Sequence, residues 1–246
     1  MAGSWIFYTT FPKIPFIKPE FKNIAQFAPP IGFFIGTIQS YIFLFFRTNS
    51  WSIYASALIC LASGYLITGG LHLDGLMDTF DGIFAGKKKR LKAMKDSKVG
   101  SFGVQSLVFI TLIQIACILK IQSQIINVFP ICLFWGRFSN LVFIENFKYI
   151  SYKNKSISHK KFWNGLKKES LISIIFLLIF ISYQLFSITS PAILIKFLIL
   201  ILIGIFLCCL IPKMLGNKIG GFNGDACGAS IVLVETAMLF MYAILL

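Results

Sequence analysis

"GGLHLDGLMDTFDG", residues 69–82, sets three carboxylates, Asp74, Asp78 and Asp81, within eight positions. The whole chain of 246 residues has nine acids. The stretch follows sequence that is almost purely apolar, and its position relative to lipid decides how the rest of the chain is read. The chain is 57% hydrophobic and 13% charged, with a mean hydropathy of +0.81; a soluble domain carries about 25% charged residues. The apolar residues come in blocks, several of them near the roughly 20 residues needed to cross about 30 Å of hydrocarbon as a helix. This composition excludes a soluble globular domain. It predicts an all-α, polytopic integral membrane helical bundle.

Seven apolar blocks are read at about 29–46, 51–70, 102–120, 125–145, 171–189, 191–212 and 226–246. Short connections, "RTNS" at 47–50 and "IQSQ" at 121–124, join some of them, and Ser190-Pro191 separates the fifth from the sixth. With seven spans, the N-terminal tail and alternate loops share one side. That side holds 3 Lys/Arg in the tail, 7 in 71–101, 7 in 146–170 and 2 in 213–225, against 3 on the other side. Lys/Arg excess marks the cytoplasmic face, so the expectation is about seven transmembrane helices, N-in/C-out, in the cytoplasmic (inner) membrane. The net charge of +14 follows from that topology and leaves no separate support for nucleic-acid binding. The start, "MAGSWIFYTTFPKIPFIKPEF", does not read as a cleavable signal peptide. The six cysteines show no CxxC spacing and read as small packing residues. Residues 1–246 are read as one membrane domain, with loops 71–101, 146–170 and 213–225 forming or flanking an active face toward the cytoplasm.

On a helix, positions 74, 78 and 81 fall within about 60° of one another. Like charges stacked in this way repel, and beside a membrane desolvation adds to the cost. A divalent cation removes the conflict. Carboxylate, water and phosphate oxygens suit Mg²⁺, or Mn²⁺, and are poor for zinc. The bland alternative is a solvated acidic helix end, or acids paired with Lys87, Lys88, Lys89 and Arg90. A fifth aspartate, Asp225, opens the last block in "GGFNGDACGAS", and "GGLHLD" and "GGFNGD" share the pattern G-G-x-x-x-D. The pairs Gly69-Gly70 and Gly220-Gly221 allow close backbone approach and turns with positive φ, where exposed N–H groups can cradle phosphate. The basic run "KKKR", Lys87–Arg90, is placed for a diphosphate or is a topology signal only, and Lys95 and Lys98 are further candidates for phosphate contact. Asp96, in "MKDSK", is read either as a lysine partner or as part of the site. His72 is a candidate base or substrate contact, although on a continuing helix it points away from Asp74. Arg137, an intramembrane charge, is read either as facing a partner, whether a substrate anion, a carboxylate of the acidic site or Glu235, or as snorkelling to the interface. His159 reads as incidental.

"GGLHLDGLMDTFDG", "RLKAMKDSKVGSFGV" (90–104) and "GGFNGDACGASIVLVE" (220–235) together resemble the cobalamin synthase family, the adenosylcobinamide-GDP ribazoletransferases of bacteria and archaea. "FYTTFPKIPF", "FAPPIGFFIG" and "GRF" at 136–138 are similar to that family as well, so the likeness runs in order along most of the chain. Met77 and Phe80 stand where alanines are common, and Asn223 where threonine is usual. The resemblance implies a Mg²⁺-dependent membrane enzyme. The implied reaction is attack by a ribose hydroxyl of α-ribazole, or its 5′-phosphate, on the cobinamide-proximal phosphorus of adenosylcobinamide-GDP, with GMP leaving. It makes Asp74, Asp78 and Asp81 the metal set, with Asp225 completing it or holding a second ion and one aspartate, Asp81 foremost, as the alternative proton acceptor. His72, Lys87–Arg90, Lys95, Asp96, Lys98, Arg137, the two glycine pairs and Asn223 are its candidate substrate contacts. Membrane lipid is an expected partner, and an oligomer is allowed.

Two rivals differ in testable ways. A CDP-alcohol phosphotransferase is echoed by "DTFDGIFAG", but Gly86 stands where that motif has arginine. An ion or solute transporter predicts acids near the middle of several spans, whereas most acids here fall at the ends of the apolar blocks.

Overall fold

The computed structural model describes residues 2–13, 16–20, 23–151 and 163–246; His159 and much of the 146–170 connection lie outside the described residues. The described residues are overwhelmingly helical, and their β-structure is one parallel bridge between Tyr149 and Phe222. A short helix α1 (Ala2–Tyr8) precedes α2 (Ala28–Thr48), α3 (Ile53–Thr68), α4 (Leu71–Phe84), α5 (Arg90–Ala93), α6 (Ser101–Ile121) and α7 (Ile125–Asn146). A one-turn helix α8 (Leu166–Glu169) leads into α9 (Leu171–Ser187), α10 (Pro191–Ile219) and α11 (Gly224–Leu245).

By length and hydropathy alone, four stretches can cross a membrane, Ile24–Thr48, Ser101–Asn146, Pro191–Ile219 and Gly224–Leu245; the bent pair α3–α4 makes a fifth. The 46-residue stretch folds back on itself, because Gln122 leaves the helical region with φ +52°. Its two halves flank α11 in opposite directions. On α6, Gln114 donates to Thr236 at 2.8 Å, while Tyr242 reaches Gln124 in the turn. Back along α7, Ser139 meets Ser230 at 2.8 Å. Each of the seven apolar blocks is occupied by a helix. The 71–101 connection is less of a loop than its composition suggests, since it contains α4 and α5. The 213–225 connection shrinks to residues 220–223, because α10 continues to Ile219.

The core is the α2, α7, α11 and α10 packing. Seventeen residues of α7 are buried. The chain enters this bundle through small residues: a Cβ at Gly36 meets the Pro130 Cα at 2.8 Å, and glycines at 32, 64 and 204 receive Arg137, Gln39 and Trp135. In lipid, where there is little hydrophobic drive between helices, such close approach and interhelical hydrogen bonds do the holding. Gln39 Nε2 donates to Cys60 O at 2.9 Å and Ser40 Oγ to Ile125 O at 3.0 Å. The cysteines are free and mostly buried, in line with a packing role.

Arg137 is 2% exposed and ion-paired with Glu235 across α7 and α11; its guanidinium also donates to Leu133 O at 3.2 Å. Removing one member strands the other charge in an apolar interior. Arg137→Ala or Glu235→Ala is therefore expected to cost about 3–5 kcal/mol, while the double change Arg137→Met/Glu235→Leu recovers most of it. Unfolding in detergent by urea, followed by circular dichroism, checks both outcomes.

Candidate active site

The acidic motif adopts the helix its spacing predicts, but the helix does not continue α3. Gly69 (φ +61°) closes α3, and Gly70 (φ +70°) precedes α4. Two consecutive left-handed residues turn the chain by 89°, a conformation glycine adopts without strain. Thr10 locks the corner from outside, its N–H donating to Ile67 O at 2.8 Å and its hydroxyl to Leu66 O at 2.9 Å. The first glycine pair thus makes a bend.

The second pair also builds architecture. Gly220 ends α10, and Gly221 passes against the 148–150 segment, where a Cβ would meet Lys148 O at 2.5 Å. Phe222 N–H donates to Lys148 O and Ile150 N–H to Phe222 O, both at 2.9 Å. Asn223 then caps α11, accepting from Ala226 N–H at 2.8 Å, and its amide donates to Asp225 Oδ2 at 3.2 Å.

The two motifs meet where α4 crosses the start of α11. A Cβ on Gly75 would lie 2.6 Å from Asp225 O, and one on Gly228 would lie 3.1 Å from His72 O. Asp74 and Asp225 consequently line one cavity of about 290 Å³, together with His72, Asn140, Tyr149 and Cys227. Asp78 is one turn farther along α4, within electrostatic reach of both Asp74 and Asp225. Lys95 Nζ stands 3.4 Å from Asp225 Oδ2 and offsets part of that repulsion.

Asp81, farther along the same face, has other partners. Its Oδ2 accepts from Gly100 N–H and its Oδ1 from Gly103 N–H, each at 2.8 Å. Gly100 and Gly103 have no side chain because that carboxylate fills the space. Asp81 therefore caps α6 and neutralises its positive end. Arg90 is buried and donates to Lys218 O, tying α5 to the end of α10. Lys87, Lys88 and Lys89 are exposed and do not line the cavity. Asp96 accepts from the backbone N–H of Lys98 at 3.1 Å in an exposed turn. Arg137 lines a separate cavity of about 50 Å³ deeper in the bundle, and His72 lines both cavities. His72 is buried beside Tyr8, their ring centroids 6.4 Å apart; although it is two residues from Asp74, the cavity is broad enough to meet both.

Tyr8, Asn140, Tyr149 and Cys227 escaped the sequence reading. Asn140 follows Arg137 by three residues, which on a helix is the same face, so a polar stripe on an apolar helix was its signal. Tyr149 reaches the cavity through the bridge to Phe222 and had no local signal. Burial pushes the Tyr149 phenol up, while Lys95 pulls it down. The net rise keeps it a protonated hydrogen-bond donor.

Among the described residues, no three His, Cys, Asp or Glu side chains gather closely enough to hold an ion. The donors still fit Mg²⁺, which is commonly held by one or two carboxylates and completed by water and phosphate. Asp74 and Asp225 would hold it, with Asp78 adjacent.

Sequence comparison identifies the family. Residues 1–243 match the family described as cobalamin-5-phosphate synthase. The chain belongs to that family. It is 40% identical to the adenosylcobinamide-GDP ribazoletransferase of Prochlorococcus marinus strain SARG and 38% identical to that of strain MIT 9303, in both cases over all of this chain and 95% of the relative. The enzyme of the same name from Trichormus variabilis is 30% identical over all of this chain and 96% of its own. No solved structure matches.

Within this member of the cobalamin-5-phosphate synthase family, Asp81→Ala is expected to lower unfolding stability by about 1–2 kcal/mol through loss of the α6 cap. Asp78→Ala is expected to leave stability unchanged or raise it, since it relieves repulsion. Denaturant titration of the two variants in detergent separates a capping carboxylate from a functional one.

Proposed function

We propose that the protein is a Mg²⁺-dependent adenosylcobinamide-GDP ribazoletransferase acting in assembly of the cobalamin nucleotide loop. A ribose hydroxyl oxygen of α-ribazole, or of its 5′-phosphate, bonds to the cobinamide-proximal phosphorus of adenosylcobinamide-GDP. The bond from that phosphorus to the bridging oxygen breaks, and GMP leaves with the oxygen and its electron pair. The hydroxyl proton passes to Asp74, in the cavity wall, or to Asp78, one turn farther along α4.

The observation that carries this reading is the meeting of Asp74 and Asp225, from segments about 150 residues apart, at the wall of one cavity in a chain of this family. The bound Mg²⁺ would neutralise charge on the diphosphate and the leaving phosphate. Lys95, held by Asp225, supplies a cation beside the same phosphates, and the Asn223 amide donates to the same Asp225 oxygen, Oδ2, and helps fix its rotamer. Tyr149 supplies a neutral O–H. These groups are set before substrate arrives, so little reorganisation is needed as charge develops.

We also propose seven spans, N-in/C-out, with the cavity at the cytoplasmic surface of the inner membrane and lipid around the bundle. The support is the Lys/Arg asymmetry and the placement of Lys95, Arg90 and both aspartate motifs at one end. In an otherwise cysteine-free chain, Asn49→Cys should react with an impermeant maleimide from outside intact cells, and Lys88→Cys only after permeabilisation.

Purified protein in lipid with Mg²⁺ is expected to convert adenosylcobinamide-GDP and α-ribazole to adenosylcobalamin and GMP, read by mass spectrometry; EDTA should abolish conversion. Asp74→Asn and Asp225→Asn should each lower kcat by about 10²–10³-fold. Full activity in both variants would sink the assignment of the site.

A further inference from the structure

Lys87, Lys88, Lys89, Lys92 and Lys98 take no part in the larger cavity, although all five are exposed near the same end of the bundle. Among the described residues, none of them forms an ion pair. The other two cations of the run are already engaged, Arg90 with Lys218 O and Lys95 with Asp225. Its one acid, Asp96, accepts from the Lys98 backbone N–H, and a single carboxylate cannot offset five ammonium groups.

An apolar surface begins beside these lysines. Phe84, at the end of α4, stacks on Phe102, at the start of α6, with ring centroids 4.2 Å and planes 12° apart. Both rings are exposed, and so is Val99, next to Lys98. Lys87 follows Phe84 by three residues, and Lys98 precedes Phe102 by four. Farther along α6, Phe109 and Leu112 are also exposed, and they lie within about 80° of Phe102 around the helix. The stack therefore heads a continuous lipid-facing stripe. Its support is firm. The Asp81 carboxylate accepts from Gly100 and Gly103 N–H, clamping the last turns of α4 to the first turn of α6. Gly82 leaves room for Met94, so α5 folds back onto α4. Arg90 and Met94 are buried there, and Lys92 between them is exposed.

We propose that this corner is a binding site for anionic phospholipid headgroups in the leaflet at that end of the bundle. Order along the surface is the first argument. Aliphatic side chains, then stacked rings, then lysines match the sequence of hydrocarbon, interface and phosphate that a leaflet presents. Aromatic rings settle at the interface, and lysine stems lie along apolar surface while the ammonium reaches the headgroups. Charge is the second argument. Clustered lysines beside a membrane span attract anionic lipid, each contributing about fivefold in affinity. A zwitterionic headgroup carries its own cation beside the phosphate and gains little from them. A topological role would account for the lysines, but it gives no reason for an exposed ring stack at their foot. The site is separate from the cavity, and the inference does not rest on the proposed transfer reaction.

Delipidated protein in detergent, titrated with phosphatidylglycerol or phosphatidylcholine and read by native mass spectrometry, tests the site. The first phosphatidylglycerol is expected to bind about fivefold or more tightly than phosphatidylcholine. Changing Lys87, Lys88, Lys89, Lys92 and Lys98 together to Gln should remove that preference. Changing Lys13, Lys18, Lys148, Lys167 and Lys168 to Gln, an equal loss of charge elsewhere, should preserve it. The single change Lys88→Glu should weaken phosphatidylglycerol about fivefold and leave phosphatidylcholine unaffected, so the result does not depend on the quintuple variant folding. Excess GDP should leave the bound phosphatidylglycerol in place. Equal loss in both quintuple variants would assign the preference to overall charge. Displacement by GDP would assign the lysines to a soluble phosphate. Either outcome, or a wild-type protein without preference, overturns the inference.

Discussion

Everything at the active end depends on how closely α4 approaches α11. At their crossing, Gly75 and Gly228 remove both side chains, and backbone meets backbone: a Cβ at Gly75 would lie 2.6 Å from Asp225 O. Small residues at a crossing are the usual way for helices in lipid to gain contact. Here the contact has a second result. It sets the first turn of α4 against the first turn of α11, and each of those turns carries an aspartate. The bend at Gly69-Gly70 makes the crossing possible by sending α4 across the bundle instead of along α3. A larger residue at either crossing position would separate the carboxylates before it unfolded anything.

The chain handles charge in two ways that follow from depth. Inside the bundle, Arg137 and Glu235 neutralise one another, closed in by Gly32 and Gly136. A lone charge there is prohibitively costly, so the pair serves packing and gives α7 a fixed register against α11. At the bundle's end, Asp74, Asp78 and Asp225 outnumber Lys95, their neighbouring cation among the described residues. That surplus of negative charge is tolerable beside water and is available to a cation. The cluster and the deep pair therefore do different work, although both are scarce charges in an apolar chain.

Much of this was legible in the residues. Block lengths identified the membrane helices, because lipid imposes its thickness on sequence. The i, i+4, i+7 spacing predicted the helix of α4, and the repeated G-G-x-x-x-D pattern predicted that two distant corners would share a site. Side-chain partners were harder to read. The glycine pairs suggested phosphate cradles, yet they shape a bend and a strand contact. Arg90 looked like a phosphate ligand within its basic run, yet it reaches the carbonyl of Lys218, a partner 128 residues away. Asn140, Tyr8 and Tyr149 come to the cavity from three separate segments, and nothing in each segment by itself signals the others.

Asp81 shows why angular periodicity was insufficient. The three aspartates of α4 do share a face, but a helix also rises about 1.5 Å per residue, so Asp81 lies about 10 Å along the axis from Asp74. Over that distance the neighbour changes. Asp74 looks onto the start of α11, whereas Asp81 looks onto the start of α6 and is consumed by its two backbone N–H groups. An acidic face able by its spacing to hold an ion is thereby divided into a cap and a two-carboxylate site. On the proposed reaction, this division has a chemical consequence. Asp74 and Asp225 would leave most of a cation's coordination sphere to water and phosphate, so the diphosphate substrate would itself supply ligands to the ion. Asp81, by capping α6, ties that helix to α4, the helix that carries Asp74.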